Sequence, residues 1–200
     1  MQKYDLIVIG AGSGLDIANA SAQKGHTVAL IEKDRMGETC LNRRCIPSKL
    51  LIHSADVIQT IKRANLFGIN IDGISIDYQK IVNRVNKITD SDSEEIKNGL
   101  QQSENPILFT KKCTFIGYKT IAIGEIEEKS NNDGNGEQII TAEKIVIAGG
   151  TRPRIPKIKG LIKSGFITSD QALRLQKQPR ILTFVGGGYI ACELAHFLAV

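Results

Sequence analysis

No run of apolar residues in this 200-residue chain approaches the ~20 positions that a membrane-spanning helix requires, so no membrane association is expected. The first residues, Met1-Gln2-Lys3-Tyr4-Asp5, lead straight into a strand-like run, and no signal peptide is expected. Aromatic residues are scarce at 5%, and the Lys and Arg residues behind the net charge of +5 are not interleaved with them, so nucleic-acid binding is not expected. A structural zinc site takes four ligands in two short-spaced pairs, and of the four cysteines only Cys40 and Cys45 lie close in sequence. Cys113 and Cys192 stand alone, His26, His53 and His196 are dispersed, and no metal is expected. Such sparse cysteine fits a reducing, cytoplasmic setting, in which a paired cysteine is more often catalytic than structural.

The composition that remains, 42% hydrophobic and 24% charged, is ordinary for a globular chain long enough for one sizeable domain or a domain and a half. Its beginning is a βαβ pattern. Residues 4–10 form a continuous apolar run suited to a buried parallel strand, and Gly10-Ala11-Gly12-Ser13-Gly14 opens a helix that Gly25 closes. Thr27-Val28-Ala29-Leu30-Ile31-Glu32 then supplies a second strand ending on an acid. Strand, glycine turn, helix, strand and acid at these intervals are the fingerprint of a dinucleotide site. Gly10 allows the tight turn, Gly12 lets the backbone approach a pyrophosphate, and Glu32 can accept hydrogen bonds from a ribose. The third glycine is due at position 15, where Leu15 is expected to loosen helix–strand packing, with Gly14 beside it offering relief.

Between this unit and the middle of the chain lies Gly37-Glu38-Thr39-Cys40-Leu41-Asn42-Arg43-Arg44-Cys45-Ile46-Pro47-Ser48-Lys49. A helix from about residue 46 would take Pro47 in its first turn, where a missing N–H is harmless. Cys40 and Cys45 would then be close enough for a disulfide. The positive end of the helix and the charges of Arg43, Arg44 and Lys49 would favour a thiolate. The residues read as a redox-active dithiol/disulfide pair rather than a structural staple, with a chance spacing or half of a metal site as the alternatives.

Helical spacing continues over residues 50–66 and again from Tyr78 to about Leu100, with Thr89-Asp90-Ser91-Asp92-Ser93-Glu94 read as a break and fresh N-cap. Strands are expected over 106–109, 112–117, 119–123, 139–140 and 144–150, with Glu127 to Glu137 as an exposed polar loop. Pro153 and Pro156 stiffen the next connection, which divides the chain into residues 1–155 and 156–200. Ile181-Leu182-Thr183-Phe184-Val185 is expected to be a strand leading into Gly186-Gly187-Gly188 and a helix, with Gly186, Gly188 and Ala191 at the fingerprint positions. The apolar pattern is still running at Ala199-Val200, which reads as a fragment.

Two dinucleotide turns around a C-x4-C-Ile-Pro-Ser-Lys motif resemble the N-terminal part of the pyridine nucleotide–disulfide oxidoreductases, such as dihydrolipoamide dehydrogenase, glutathione reductase, mycothione reductase and mercuric reductase. The resemblance runs from the glycine turn at 10–14 through Cys40–Lys49, the strand before Thr151-Arg152-Pro153 and Thr168-Ser169-Asp170 to the second motif at 186–193. It implies an α/β fold: a Rossmann-like FAD-binding domain with a β-meander insertion, and the start of a Rossmann-like NAD(P)-binding domain. FAD is implied on Gly10, Gly12, Gly14, Glu32 and Thr39, with Cys113 near the adenine and Ala148, Gly149 and Gly150 passing the flavin. Cys40 matches the interchange thiol and Cys45 the charge-transfer thiol, while Lys49 resembles the lysine beside the flavin and Glu193 the acid paired with it. NAD(P)H is implied at Gly186, Gly187 and Gly188, under Tyr189.

The implied activity is electron transfer between NAD(P)(H) and a small-molecule or protein-bound dithiol/disulfide substrate, in the manner of dihydrolipoamide dehydrogenase. A mycothione- or glutathione-type reductase, a mercuric reductase, or a non-catalytic flavin-binding or redox-sensing fragment are the alternatives. Full-length members are homodimers, and the 200 residues alone are not expected to turn over. Glu38, Arg44, Gly149 and Leu15 depart from the family pattern, the first two replacing glycines that flank the cysteines.

Overall fold

The computed structural model describes residues 1–124 and 138–199. The chain forms two compact units, Met1–Thr39 with Asp92–Thr151, and Cys40–Ser91 with Arg152–Val200.

The first unit is α/β, built on one six-stranded sheet. β1 (Gln2–Ile9) is followed by α1 (Ser13–Gln23) and β2 (Val28–Ile31), and later by β3 (Ile107–Phe109), β4 (Cys113–Gly117), β5 (Thr120–Ile123) and β6 (Gln138–Ile147), in the spatial order β3-β2-β1-β6-β5-β4. β1 pairs in parallel with β2 and β6, β2 pairs in parallel with β3, and β5 runs antiparallel to both β4 and β6. Both edges of β1 are therefore paired, and both faces are covered over Leu6–Ile9, which is why that stretch is continuously apolar rather than alternating. Ile7, Ala29, Ile31, Ile121 and Ile140 form the core on one face, and Val8, Ala18, Val28 and Leu30 the core on the other. Burial of each large aliphatic side chain there contributes about 1.5–3 kcal/mol.

The antiparallel run β4-β5-β6 is the expected meander, and its last strand is also the neighbour of β1. Residues 138–147 form one strand, not the two expected at 139–140 and 144–150. β5 pairs with its first part and β1 with the stretch through Ile147, so hydrogen bonding carries the chain across the polar Thr141–Lys144 interruption. The polar segment from Glu127 to Glu137 lies outside the described residues.

The second unit is helical among its described residues. α2 (Glu38–Asn42), whose first residues belong to the first unit, leads into α3 (Cys45–Lys62), α4 (Tyr78–Gln102), α5 (Ser169–Ala172) and α6 (Tyr189–Leu198). Leu51 and Ala55 of α3, Val82 and Val85 of α4, and Leu194 and Phe197 of α6 make its core, and Tyr78 stacks on Phe197 with ring centroids 5.6 Å apart. Asp77 starts α4 by accepting a hydrogen bond from the Lys80 N–H at 2.9 Å.

α4 is continuous, and the break expected at 89–94 does not occur. Ser, Thr and Asp interrupt helices by offering the backbone alternative partners, and here those side chains are engaged otherwise. The Thr89 hydroxyl donates within the helix to the Asn86 carbonyl at 3.2 Å, and Asp90 accepts from Arg174 at 2.8 Å. In the first unit, to which the last turns of α4 belong, Ser93 donates to the Met36 carbonyl at 2.9 Å.

Residues 181–185 are a second correction, because they form no strand. A short extended run is held in place by ladder partners, and all six described strands lie in the first unit. Leu182 and Phe184 pack instead against the helical core, while Ile181 and Val185 are exposed. Of the second strand–turn–helix, the glycine turn and α6 are formed.

Candidate functional site

The glycine turn between β1 and α1 is a compact structure with three separable parts. Gly10 has φ +105°, and a Cβ there would lie 2.2 Å from the Ala148 carbonyl oxygen, so the turn and the end of β6 meet backbone to backbone. Gly10 N–H donates to the Ile31 carbonyl at 2.8 Å, and Ala148 N–H to the Ile9 carbonyl at 2.7 Å. Gly14 is buried against Val8, whose Cγ1 would stand 2.8 Å from an added Cβ, with the Ala148 methyl at 3.1 Å. Gly14 thus makes the close helix–strand contact expected of position 15. Leu15, expected to loosen that contact, is partly buried and packs against the core on this face of the sheet.

Glu32 at the end of β2 is only 4% exposed, and its carboxylate is tied to the same turn. Oε2 accepts from the Ala11 N–H at 2.9 Å and Oε1 from the Asp34 N–H at 2.8 Å. These bonds use one lone pair on each oxygen, so the acid fixes the loop while still lining the cleft beside it. That cleft, about 490 Å³, is bounded by Gly10, Ile31, Glu32, Cys113, Thr114 and Gly149. Burial pushes the Cys113 thiol above its ordinary range, and the nearby charge of Lys33 partly offsets this.

Lys33, Lys111 and Lys112 line the cleft as well and favour an anion; the Lys-Lys pair before Cys113 was the sequence signal for two of them. A glycine turn at the start of an eleven-residue helix whose Gly12 N-cap has no side-chain cap, next to a cleft with a buried acid and three lysines, fits a dinucleotide. One further side chain, Glu38, lies over the turn. It has φ +38°, and its Oε2 would stand 2.9 Å from a Cβ on Gly12 and 3.4 Å from one on Gly150, near the Thr39 hydroxyl. Arg44, the other departure flanking the cysteines, has φ −146° and needs no glycine.

In the second unit Cys40 and Cys45 are exposed free thiols. Cys45 is the first residue of α3, with Pro47 in the first turn. The Cys40 thiol lies above its ordinary pKa, chiefly because it is hydrogen-bonded to the Cys45 sulfur, with burial and the charge of a Cys45 thiolate adding to this; a bond from the Cys45 backbone N–H acts the other way. The N–H at the helix start does favour a thiolate at Cys40, as expected of the helix end, and the partner thiol outweighs it.

One turn further along, Lys49 forms an ion pair through Nζ with Oε1 of Glu193 on α6. Lys49 holds the Glu193 carboxyl below its ordinary range by that hydrogen bond and its charge, and Ser48 adds a weaker bond. Two residues that sequence reasoning did not pair, His196 of α6 and Asp56 of α3, are 2.9 Å apart and brace the same two helices. In the second glycine turn Gly186 has φ +113° and Gly188 caps α6, with Gly187 between them and Tyr189 71% exposed. No helix among the described residues is long and apolar enough to cross a membrane.

Comparison with known proteins matches these features. The family described as pyridine nucleotide-disulphide oxidoreductase matches residues 4–200. The chain belongs to this family. It is 38% identical over 196 residues to a dihydrolipoyl dehydrogenase of Chlamydia pneumoniae, covering 97% of this chain and 40% of that relative. A dihydrolipoyl dehydrogenase of Bacillus subtilis (strain 168) is 32% identical over 206 residues, 98% of this chain and 42% of the relative. The solved structure of the Cu(II) complex of the HOCl-induced flavoprotein disulfide reductase RclA from Escherichia coli superposes with a TM-score of 0.80 at 28% identity, covering all of this chain and 40% of that one. The chain thus spans about 40% of the length of the relatives it matches.

Proposed function

We propose that this chain is the N-terminal part of an FAD-dependent disulfide oxidoreductase that passes electrons between NAD(P)(H) and a dithiol/disulfide substrate, as a dihydrolipoamide dehydrogenase does. The observation that carries the reading is the hydrogen-bonded Cys40–Cys45 pair at the start of α3, in a chain that also folds a dinucleotide-type turn. Gly10, Gly12, Gly14, Glu32, Thr39, Cys113 and Ala148–Gly150 are the residues assigned to FAD, and Gly186–Gly188 with Tyr189 those assigned to NAD(P). Functionally, residues 1–155 serve the flavin and 156–200 begin the nicotinamide domain. FAD, when bound, supplies the two-electron acceptor between the dithiol and the nicotinamide.

The protein's own part is thiol–disulfide exchange. With Cys40 and Cys45 joined as a disulfide, a substrate thiolate attacks Cys40 Sγ, forms a mixed disulfide and releases Cys45 as a thiolate. The second substrate thiolate attacks its own mixed-disulfide sulfur, freeing Cys40. The substrate leaves oxidised and the cysteine pair holds the two electrons, in the reduced state described above. The N–H at the start of α3 stabilises charge on the pair, and Lys49, held by Glu193, keeps a cation within one turn of it. A homodimer, a small-molecule or protein-bound dithiol substrate and a cytoplasmic setting complete the reading.

The test is an absorption spectrum of the purified protein with FAD, extended past 500 nm (the region of thiolate-to-flavin charge transfer, at about that wavelength and beyond) during dithiol titration. A long-wavelength band that disappears in Cys45→Ser supports the reading. Bound flavin with no such band at any stage of the titration removes Cys45 from it.

A further inference from the structure

The cleft beside the glycine turn suits a dinucleotide in every respect but one. Glu38 stands where the diphosphate would have to come. A methyl group on Gly12 would meet Glu38 Oε2 at 2.9 Å and Glu38 Cβ at 3.2 Å, and one on Gly150 would meet the same carboxylate at 3.4 Å and 3.7 Å. The side chain is thus laid across the bare backbone of the turn, from the N-cap of α1 to the loop after β6. Gly12, where backbone exposure serves to let an anion approach, is covered by an anion the chain itself provides.

Its backbone conformation is the second observation. Glu38 has φ +38°, one of two non-glycine residues with positive φ among those described. A side chain held in that region is sustained by what surrounds it rather than by its own preference. Here the surroundings favour an anion: Gly12 caps α1 with no side-chain cap of its own, and Lys33, Lys111 and Lys112 line the same cleft. The Glu38 carboxylate therefore sits in the positive field that would otherwise receive a diphosphate.

Building on the dinucleotide reading above, we propose that Glu38 is an intramolecular anion competing with the ligand's diphosphate for the Gly12 turn. Phosphate-bearing ligands bind only when this side chain moves aside, so it sets the affinity of the cleft for its cofactor. A diphosphate arriving with Glu38 in place would bring like charges together at contact distance, which is strongly unfavourable. The competition concerns the phosphates, since the Glu38 carboxylate stands against the bare backbone of the turn at Gly12 and Gly150.

Binding of FAD, ADP and adenosine is measured by calorimetry to the purified protein and to the Glu38→Gln and Glu38→Gly variants, with no turnover involved. Glu38→Gln removes the charge and keeps the size; Glu38→Gly removes both and relieves the positive φ. Both variants are expected to bind FAD and ADP at least ~10-fold more tightly than the parent, with the gain shrinking as salt is raised. Adenosine affinity is expected to stay unchanged. Equal FAD and ADP affinities in all three proteins, or an equal gain for adenosine, overturn the competition while leaving the dinucleotide site standing. Absence of FAD and ADP binding in all three overturns the dinucleotide reading and the competition with it. Matching far-ultraviolet circular dichroism of the three proteins ensures that the comparison is between folded chains.

Discussion

The Glu32 carboxylate accepts a hydrogen bond from the Ala11 N–H at 2.9 Å, across 21 positions of sequence. One side chain at the end of β2 thereby fixes the turn that follows β1, and a second bond, from Asp34, fixes the turn that follows β2. The nucleotide-type acid is a structural tie before it is a ligand contact.

Replacing it tests that double role. Glu32→Gln keeps an oxygen acceptor for one of the two N–H groups and turns an amide toward the other. Because the site is buried and the lost acceptor was charged, a destabilisation of about 1.5–3 kcal/mol is expected in urea or thermal unfolding. An unchanged midpoint would mean that the two bonds contribute nothing net.

Gly10→Ala should be the most damaging single change in the turn. The new methyl would lie 2.2 Å from a backbone oxygen, which cannot swing away, and the residue would be held at φ +105°. Strain and overpacking together should cost about 3 kcal/mol or more. Gly14→Ala, whose methyl meets side-chain atoms of Val8 and Ala148 that can give slightly, should cost about 1–3 kcal/mol. A reversed ranking in denaturant melts would contradict the described turn.

The thiols carry a pH prediction. Cys40 lies above the ordinary value of 9.0, first through its hydrogen bond to Cys45. Its folded-state value is raised, so the stabilisation is full below the unfolded value and fades as pH rises through the folded one. Alkylation of Cys40 by iodoacetamide should show a midpoint above 9.0 in the parent and a lower one in Cys45→Ala. At pH 8, about one unit below an ordinary thiol, the variant should therefore react faster. A slower reaction in the variant would show that Cys45 does not raise the Cys40 thiol.

Lys49 and Glu193 form a partly exposed pair, with side chains 65% and 28% accessible. Screening limits its contribution, and a double-mutant cycle with alanine should give a coupling of about 0–1 kcal/mol. Since the Glu193 carboxyl is lowered from 4.5 by Lys49, the contribution is present above that value and lost as pH falls through the folded one. Lys49→Met should return the carboxyl toward 4.5, as followed by side-chain carboxyl NMR. A titration unchanged by the substitution would detach the two residues.

What the sequence determined alone is what depends on local chemistry and short-range period. β1, α1 and β2 were legible because a buried parallel strand is apolar throughout and the glycine turn announces the helix after it. The start of α3 beside Cys45 was legible from Pro47 and the apolar repeat. The tertiary structure decided the rest, where distant partners outvote local preference. Polar residues that interrupt isolated helices stayed helical in α4, because Arg174 and the Met36 carbonyl took up two of their side chains. Residues 181–185, apolar enough for a strand, formed none, since a strand needs neighbours that composition cannot supply. Most of all, Glu38 read as a missing glycine near Cys40 and as an acid set against the local positive charge. Folding carried its carboxylate over Gly12 and Gly150, residues 26 positions before it and 112 after it, and no local pattern encodes that meeting.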